Sequence, residues 1–416
     1  MRENRKLEFK ETISNTFLKT VSAFANYDGG EVRFGVADDG TVVGLNNPQE
    51  ACLAIEGKIN DSISPQPDYT LSIDSQHVVV LTVKSGRHTP YLYKAKAYKR
   101  NDTSTIEVDP IELTRLILAG QHLHFEELPA DNQELSFHVL AQQMEAETGI
   151  DNFNRDILKT LELYADKDGY NKAAEILADQ NDYPGVDIIR FGESINVIRE
   201  RKRIEHVSVL TAYAVADAMY QANYQYEEIV GFKRQKVETI PSRAFREAVA
   251  NALIHRTWDM PAQVRIAMYD DRIDISSPGG LPAGISKEEY LSGRVSTLRN
   301  PFLAHVFARL HIVEGIGMGV QRILETYEDS LVKPSFIVTE NTIGVVLPVI
   351  KQNLGLTDAE QCVYEYLCTV PEAAISKITA ASSYGRAKAT SVLNHLIDKG
   401  LVVRVGNGRG TKYKKA

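Results

Sequence analysis

The stretch from Phe245 to Ile323 constrains this chain more than any other, because three short motifs within it together describe a phosphate-binding site. Residues 247–255 set apolar side chains at helical spacing, so that Glu247, Asn251 and His255 project from one face. Residues 274–282 read as an alternating strand running into the turn Pro278-Gly279-Gly280, where a backbone can approach a ligand closely. Gly315, Gly317 and Gly319 then alternate just before a helix-compatible run, Val320 to Leu324, whose free amides would favour an anion. Each motif alone has a plainer reading: a surface Glu/Asn pair, a strand end, a flexible turn. Their order and spacing are more specific.

Together, over Ile240 to Val349, they resemble the GHKL superfamily of ATP-binding domains, in the divergent form found in bacterial proteins described as helicase-related or as transcriptional regulators. The resemblance implies an α/β sandwich that binds ATP with Mg²⁺. In it Glu247 would polarise the attacking water, Asn251 would hold the metal against the phosphates, and Gly315, Gly317 and Gly319 would form the phosphate lid. Gly279 and Gly280 supply the glycine turn. One part departs from the pattern. The family's Asp that accepts from the adenine amine aligns with Ser276 here, and Pro278 stands where the first glycine would be.

At 416 residues the chain is too long for one ordinary core and predicts roughly two to four domains. Charged and hydrophobic fractions of 25% and 43% are those of a soluble globular protein. With neither a long apolar run nor a charged-then-apolar leader, the expectation is a cytoplasmic protein without a membrane partner. Cys52, Cys362 and Cys368 form no Cys-x-x-Cys pair, which argues against a disulfide framework and structural zinc. The net charge of −8 conceals an asymmetry: from Thr357 onward nine basic residues face five acidic ones, so the tail is formally +4 and the remainder −12. By charge, only the tail looks like a polyanion binder.

Near the N-terminus Ile13, Phe17, Val21 and Phe24 recur at helical spacing up to a stop at Gly29-Gly30. Strands 31–36 and 41–45 flank the hairpin signal Asp38-Asp39-Gly40. A helix over 48–62 and strands 69–74 and 77–84 complete a small α/β unit. From Glu3 to about Leu118 the run Glu3, Glu8-Phe9-Lys10, Ser22 to Asn26, Gly29-Gly30 and Phe34 to Asp38 resembles the Schlafen-type AlbA domain. In the Schlafen nucleases the matching carboxylates form a three-carboxylate RNA-cleaving site. The resemblance therefore implies a catalytic, metal-binding triad Glu3, Glu8 and Asp38, suited to Mg²⁺ or Mn²⁺. The same hallmark occurs in DNA-binding regulators, and Glu8 and Asp38 also read as a solvated strand face and a turn former. Lys84, Arg87, Lys94, Lys99 and Arg100, interleaved with Tyr91 and Tyr93, offer phosphate contacts and stacking.

From 122 to 239 the sequence says less: helices over 158–164, 170–178 and 207–224, a strand over 186–191, and a basic cluster, Arg199 to Arg203, that reads as a solvated turn. Residues 357–416 have the order of a winged helix-turn-helix, with a recognition helix over 385–396. Arg386, Lys388, Thr390 and Ser391 would face a major groove, and Arg409 and Lys412 on the wing would meet phosphates. Winged helices also dock proteins. The expected architecture is an α+β multidomain chain: Schlafen/AlbA-like domain 1–121, mostly helical connector 122–239, GHKL-like domain 240–352 and winged helix 353–416. The expected function is a nucleotide-responsive, DNA-binding regulator acting as a homo-oligomer. The alternative is a metal-dependent ribonuclease acting on structured RNA.

Overall fold

The computed structural model describes residues 2–230, 233–282, 285–293, 297–313, 317–350, 356–406 and 408–415, without the side chains of Val230 and Arg409. It is a mixed α/β multidomain protein. The chain divides into two compact units, Met1–Glu328 with Lys333–Val349, and Asp329–Val332 with Ile350–Ala416. No helix among the described residues is long and apolar enough to cross a membrane.

The first unit opens with β1 (Leu7–Lys10), α1 (Phe17–Asn26), β2 (Gly30–Phe34), α2 (Pro48–Ser62), β3 (Ile63–Ser64), β4 (Tyr69–Ile73), β5 (Val79–Val83), β6 (Leu92–Tyr93), β7 (Tyr98–Asn101), β8 (Ser104–Glu107) and α3 (Pro110–Gly120). A four-stranded sheet runs in the order β1-β2-β5-β4, with β1 parallel to β2. The three-and-four spacing seen in sequence places Phe17, Val21 and Phe24 of α1 in one core with Val32, Phe34, Val79 and Leu81 of the sheet, and Ile55 and Ile59 of α2 join them. The hairpin arm expected over 41–45 is reduced to a single bridge, Val36 to Val42.

Then follow α4 (His138–Thr148), α5 (Arg155–Thr160), β9 (Tyr164–Ala165), β10 (Gly169–Tyr170), α6 (Lys172–Leu177), β11 (Val186–Phe191), β12 (Ile198–Ile204), α7 (Val209–Tyr224), β13 (Gln225–Val230), β14 (Lys233–Glu238), α8 (Ser242–Ile254), β15 (Val264–Met268), β16 (Arg272–Pro278), α9 (Lys287–Ser292), α10 (Pro301–Arg309), α11 (Gly319–Glu325), β17 (Ser335–Val338) and β18 (Thr342–Pro348). The main sheet here has six strands, β12-β11-β15-β16-β18-β17. Its inner residues, Ile188, Ile266, Ile273, Ile275, Val345 and Leu347, are buried, and α8 packs on β16 and β18. Two readings are corrected. The helix read over 158–164 ends at Thr160, because Tyr164 enters a short hairpin with Tyr170. The basic cluster 199–203 is an edge strand and not a turn: β12 pairs with β11, and β11 lies parallel to β15, so residues 186–204 share the sheet of the GHKL-like region.

The second unit contains α12 (Asp358–Thr369), β19 (Ala373–Ala374), α13 (Ile375–Ser382), α14 (Arg386–Asp398), β20 (Val402–Val405) and β21 (Lys412–Lys415), with sheet order β19-β21-β20. Thr357 and Glu360 close a capping box at the start of α12. Val363, Leu367, Ile378, Leu393, Leu396 and Tyr413 form its core.

Candidate functional site

On α8, Glu247 and Asn251 lie one turn apart and meet: Asn251 Nδ2 donates to Glu247 Oε1 at 3.4 Å, and Arg322 Nη1 of α11 lies 3.8 Å from Glu247 Oε2. Gly319, the first residue of α11, rests directly on this pair. A Cβ there would lie 2.2 Å from Asn251 Nδ2 and 2.7 Å from Glu247 Oε1, so only glycine admits the approach. Gly317 and Gly319 line a cavity of ≈120 Å³ together with Glu247, Asn251, Ser277 and Gly280. The first and third motifs thus converge. Gly315 lies outside the described residues. The helix that follows the glycine motif, α11, has only seven residues.

The strand motif needs a correction. Along β16 side chains alternate, so Ile273, Ile275 and Ser277 face α8, whereas Ser276 faces away and sits between Arg265 and Gly344 of its neighbours. The polar group presented to the cavity is Ser277, whose buried Oγ donates to the Ala252 carbonyl at 2.6 Å and keeps its lone pairs as acceptors. Gly279 has φ +108°, and a Cβ there would lie 2.0 Å from Thr257 Oγ1. Arg299 holds this turn. Its Nη1 donates to Thr257 Oγ1 (2.6 Å) and the His255 carbonyl (3.0 Å), and its Nη2 donates to the Gly280 carbonyl (2.7 Å). Burial, with the nearby Arg299 cation, pushes the His255 imidazole down to about 4, so it faces the cavity uncharged at neutral pH. Sequence reasoning passed over Ser277, Thr257 and Arg299. Carrying the alternation of Ile273 and Ile275 forward one step finds Ser277, but nothing local marks Arg299.

The same turn is tied to the N-terminal domain. Arg115 of α3 forks onto Asp259, two residues beyond Thr257, with Nε–Oδ2 2.7 Å and Nη2–Oδ1 3.1 Å. One turn back, Glu112 accepts from Tyr27 Oη (2.6 Å) and Lys99 Nζ (2.5 Å). Glu126 is buried and accepts from the amides of Phe302 and Leu303 at the start of α10. Burial pushes its carboxyl up to about 8 while those two amides pull it back.

The expected carboxylate triad does not assemble. Glu8 is buried; its Oε2 takes Thr20 Oγ1 (2.6 Å) and Arg100 Nη1 (2.5 Å), and its Oε1 pairs with Lys10 Nζ (2.7 Å). Glu3 instead accepts from the Phe9 amide at 2.8 Å, and Asp38 is exposed. Among the described residues no three His, Cys, Asp or Glu side chains are grouped to hold a metal ion. Two of the five cations of the basic stretch are spent inside the domain. Arg100 is buried on Glu8, Lys99 pairs with Glu112, Lys84 pairs with exposed Asp68, and Tyr91 and Tyr93 are core residues. Arg87 and Lys94 remain exposed.

In the second unit α14 buries Ala389, Val392, Leu393 and Leu396 and turns Arg386, Lys388, Ser391 and Asn394 to solvent. Thr390 is half-buried and its Oγ1 returns to the Arg386 carbonyl at 2.8 Å. Lys388 Nζ lies 4.1 Å from the centre of the Tyr384 ring. On the wing Lys412 is paired with Glu372, and the Arg409 side chain is outside the described residues.

Residues 3–109 match the family described as "Schlafen, AlbA_2", residues 261–347 the family "Putative ATP-dependent DNA helicase recG C-terminal", and residues 350–416 the "Sugar-specific transcriptional regulator TrmB" family. The chain joins a Schlafen/AlbA_2 domain, a RecG-like HATPase domain and a TrmB-like domain. No curated protein matches it. The crystal structure of the DIP2311 protein from Corynebacterium diphtheriae has a similar fold, with a TM-score of 0.51 at 18% identity, covering 99% of this chain and 92% of that one. The HATPase match begins after α8 and so contains the two glycine motifs but neither Glu247 nor Asn251. The fold brings that pair against Gly319.

Proposed function

We propose that the protein is a DNA-binding transcriptional regulator whose HATPase-type cavity takes an adenine nucleotide with Mg²⁺ and whose TrmB-like domain reads the major groove. The observation that carries the reading is α14, a helix with a fully apolar inner face and an outer face bearing Arg386, Lys388, Ser391 and Asn394. Long cations and short hydroxyl or amide groups on an exposed helix face suit phosphates and base edges respectively. Fluorescence anisotropy on duplex DNA tests it: Arg386→Ala with Lys388→Ala is expected to weaken binding by at least about tenfold and to lower its salt dependence. Unchanged binding by that variant would remove α14 as the reading head.

The cavity fits the nucleotide in part. At its phosphate end the Glu247 carboxylate and the Asn251 amide oxygen are hard donors of the kind Mg²⁺ takes, with Gly317 and Gly319 supplying close backbone. At its base end the acceptor is the Ser277 hydroxyl in place of a carboxylate. Bound nucleotide with Mg²⁺ would supply charge that Glu247 and Asn251 hold and that Gly319 must make room for. The test of responsiveness is DNA affinity with and without ATP and Mg²⁺. A ribonuclease reading finds less support, since Glu8 is committed to Arg100, Thr20 and Lys10. A homo-oligomer would let paired winged helices span two half-sites, and light scattering of the purified protein measures it.

A further inference from the structure

The face of the six-stranded sheet turned away from α8 carries a cluster that the charge of the chain does not foretell. Residues paired across a sheet share a face, so the register Arg203–Asp187–Arg265–Ser276–Gly344 defines one outward row, and Arg201–Ile189–Ala267 the next. Asp187 is buried and holds Arg201 by a two-point contact, Nε–Oδ1 2.9 Å and Nη2–Oδ2 2.8 Å, which leaves Arg201 Nη1 outward. Arg203 and Arg265 stand in the same row on either side of Asp187, about 10 Å apart by strand spacing; both are exposed, and Arg265 also feels the Asp274 carboxylate of the next row. Three guanidinium groups therefore stand beside two carboxylates that already have partners, Asp187 on Arg201 and Asp274 on Arg272 at 3.1 Å. Beyond Arg265 the row continues with Ser276 and Gly344, small residues that leave the surface flat. All this belongs to a part of the chain that is acidic as a whole.

We infer that Arg201, Arg203 and Arg265 form a phosphate-backbone contact surface for nucleic acid on the HATPase domain, separate from the winged helix. The chemistry favours a phosphodiester chain: a guanidinium fork matches phosphate oxygens, Asp187 fixes one fork in advance, and the small residues Ser276 and Gly344 leave room for an extended backbone without a pocket. The inference deepens the DNA-binding reading and rests on it. It assigns backbone positioning to the sheet and leaves sequence reading to α14.

The test uses the full chain, with anisotropy of labelled duplex and single-stranded DNA titrated between 50 and 300 mM KCl. Wild type is compared with Arg203→Ser/Arg265→Ser and, in parallel, Arg386→Ser/Lys388→Ser, with circular dichroism to check that each is folded. Each lost phosphate contact lowers the slope of log affinity against log salt by about one. The sheet variant is thus expected to lose about two from that slope and about tenfold in affinity at 100 mM salt, on whichever polymer the surface takes. An unchanged slope on both polymers, with the α14 variant lowering it, overturns the surface while the DNA-binding reading stands. No binding by wild type overturns both.

Discussion

Glu8→Ala is the substitution on which the sequence and the structure disagree most sharply. Taken as a metal-binding carboxylate, Glu8 would be dispensable for folding and needed for cleavage. In the structure it is 5% exposed and faces Arg100, itself 7% exposed, across 2.5 Å. Arg100 also donates to Thr105 Oγ1 (3.0 Å) and the Asn4 carbonyl (3.1 Å), while its Nε already has no partner. Deleting Glu8 strands a buried cation with two neutral acceptors. Breaking a buried pair from one side costs about 3–5 kcal/mol, far more than the pair contributes over an apolar replacement, because the surviving charge keeps its desolvation penalty. At roughly 4 °C per kcal/mol for a domain of this size, melting of the N-terminal domain is predicted to fall by about 12–20 °C. Arg100→Ala should do less damage, since Lys10 and Thr20 still hold Glu8, and the double variant Glu8→Leu/Arg100→Met should recover much of the loss of Glu8→Ala. Differential scanning calorimetry of the full chain reads all three. If Glu8→Ala melts within about 2 °C of wild type, the pair is not structural and the reasoning fails. Should the large shift appear, loss of any nucleic-acid activity in Glu8→Ala says nothing about catalysis.

Three further predictions follow from the HATPase side. ATP with Mg²⁺ is expected to raise the melting temperature of wild type, and Asn251→Ala to abolish the rise by removing a metal ligand; a flat response of wild type to millimolar ATP, ADP and GTP would sink the nucleotide reading. Gly319→Ala places a methyl group 2.2 Å from Asn251 Nδ2 and 2.7 Å from Glu247 Oε1, and is expected to abolish the same rise even though the protein folds; an unaltered response would mean that the lid does not rest on that pair. His255 has its folded value at about 4 against roughly 6.5 when unfolded, so the unfolded chain takes up the proton first. Stability is therefore full above about pH 6.5 and is lost as pH falls toward 4, by up to on the order of 3 kcal/mol. Urea titrations at pH 7 and 5 should show that slope in wild type and less of it in His255→Gln, and equal slopes would refute the assignment.

What the sequence made legible is what is local. The helical spacing of Phe17, Val21 and Phe24 and the capping box at Thr357 and Glu360 depend on neighbours within a turn or two, and both appear in the fold. The period of two along Ile273, Ile275 and Ser277 is equally local; the GHKL resemblance points instead to Ser276, which faces away from the cavity. Residue chemistry without its partner was where the reading failed. By residue chemistry alone Glu8 suits a metal site and Arg100 a nucleic-acid surface, two separate roles, and the fold joins them across ninety-two positions into one buried contact. Arg199 to Arg203 looked like a turn because a charged run carries no apolar face, yet an edge strand needs none on its open side. Its meaning depends on Asp187 and Arg265, which reach it only through sheet register. The charges that pair inside this molecule and the charges left for a partner have the same composition, and tertiary pairing alone separates them: it withdraws Lys99 and Arg100 from the surface and leaves Arg203 and Arg265 upon it.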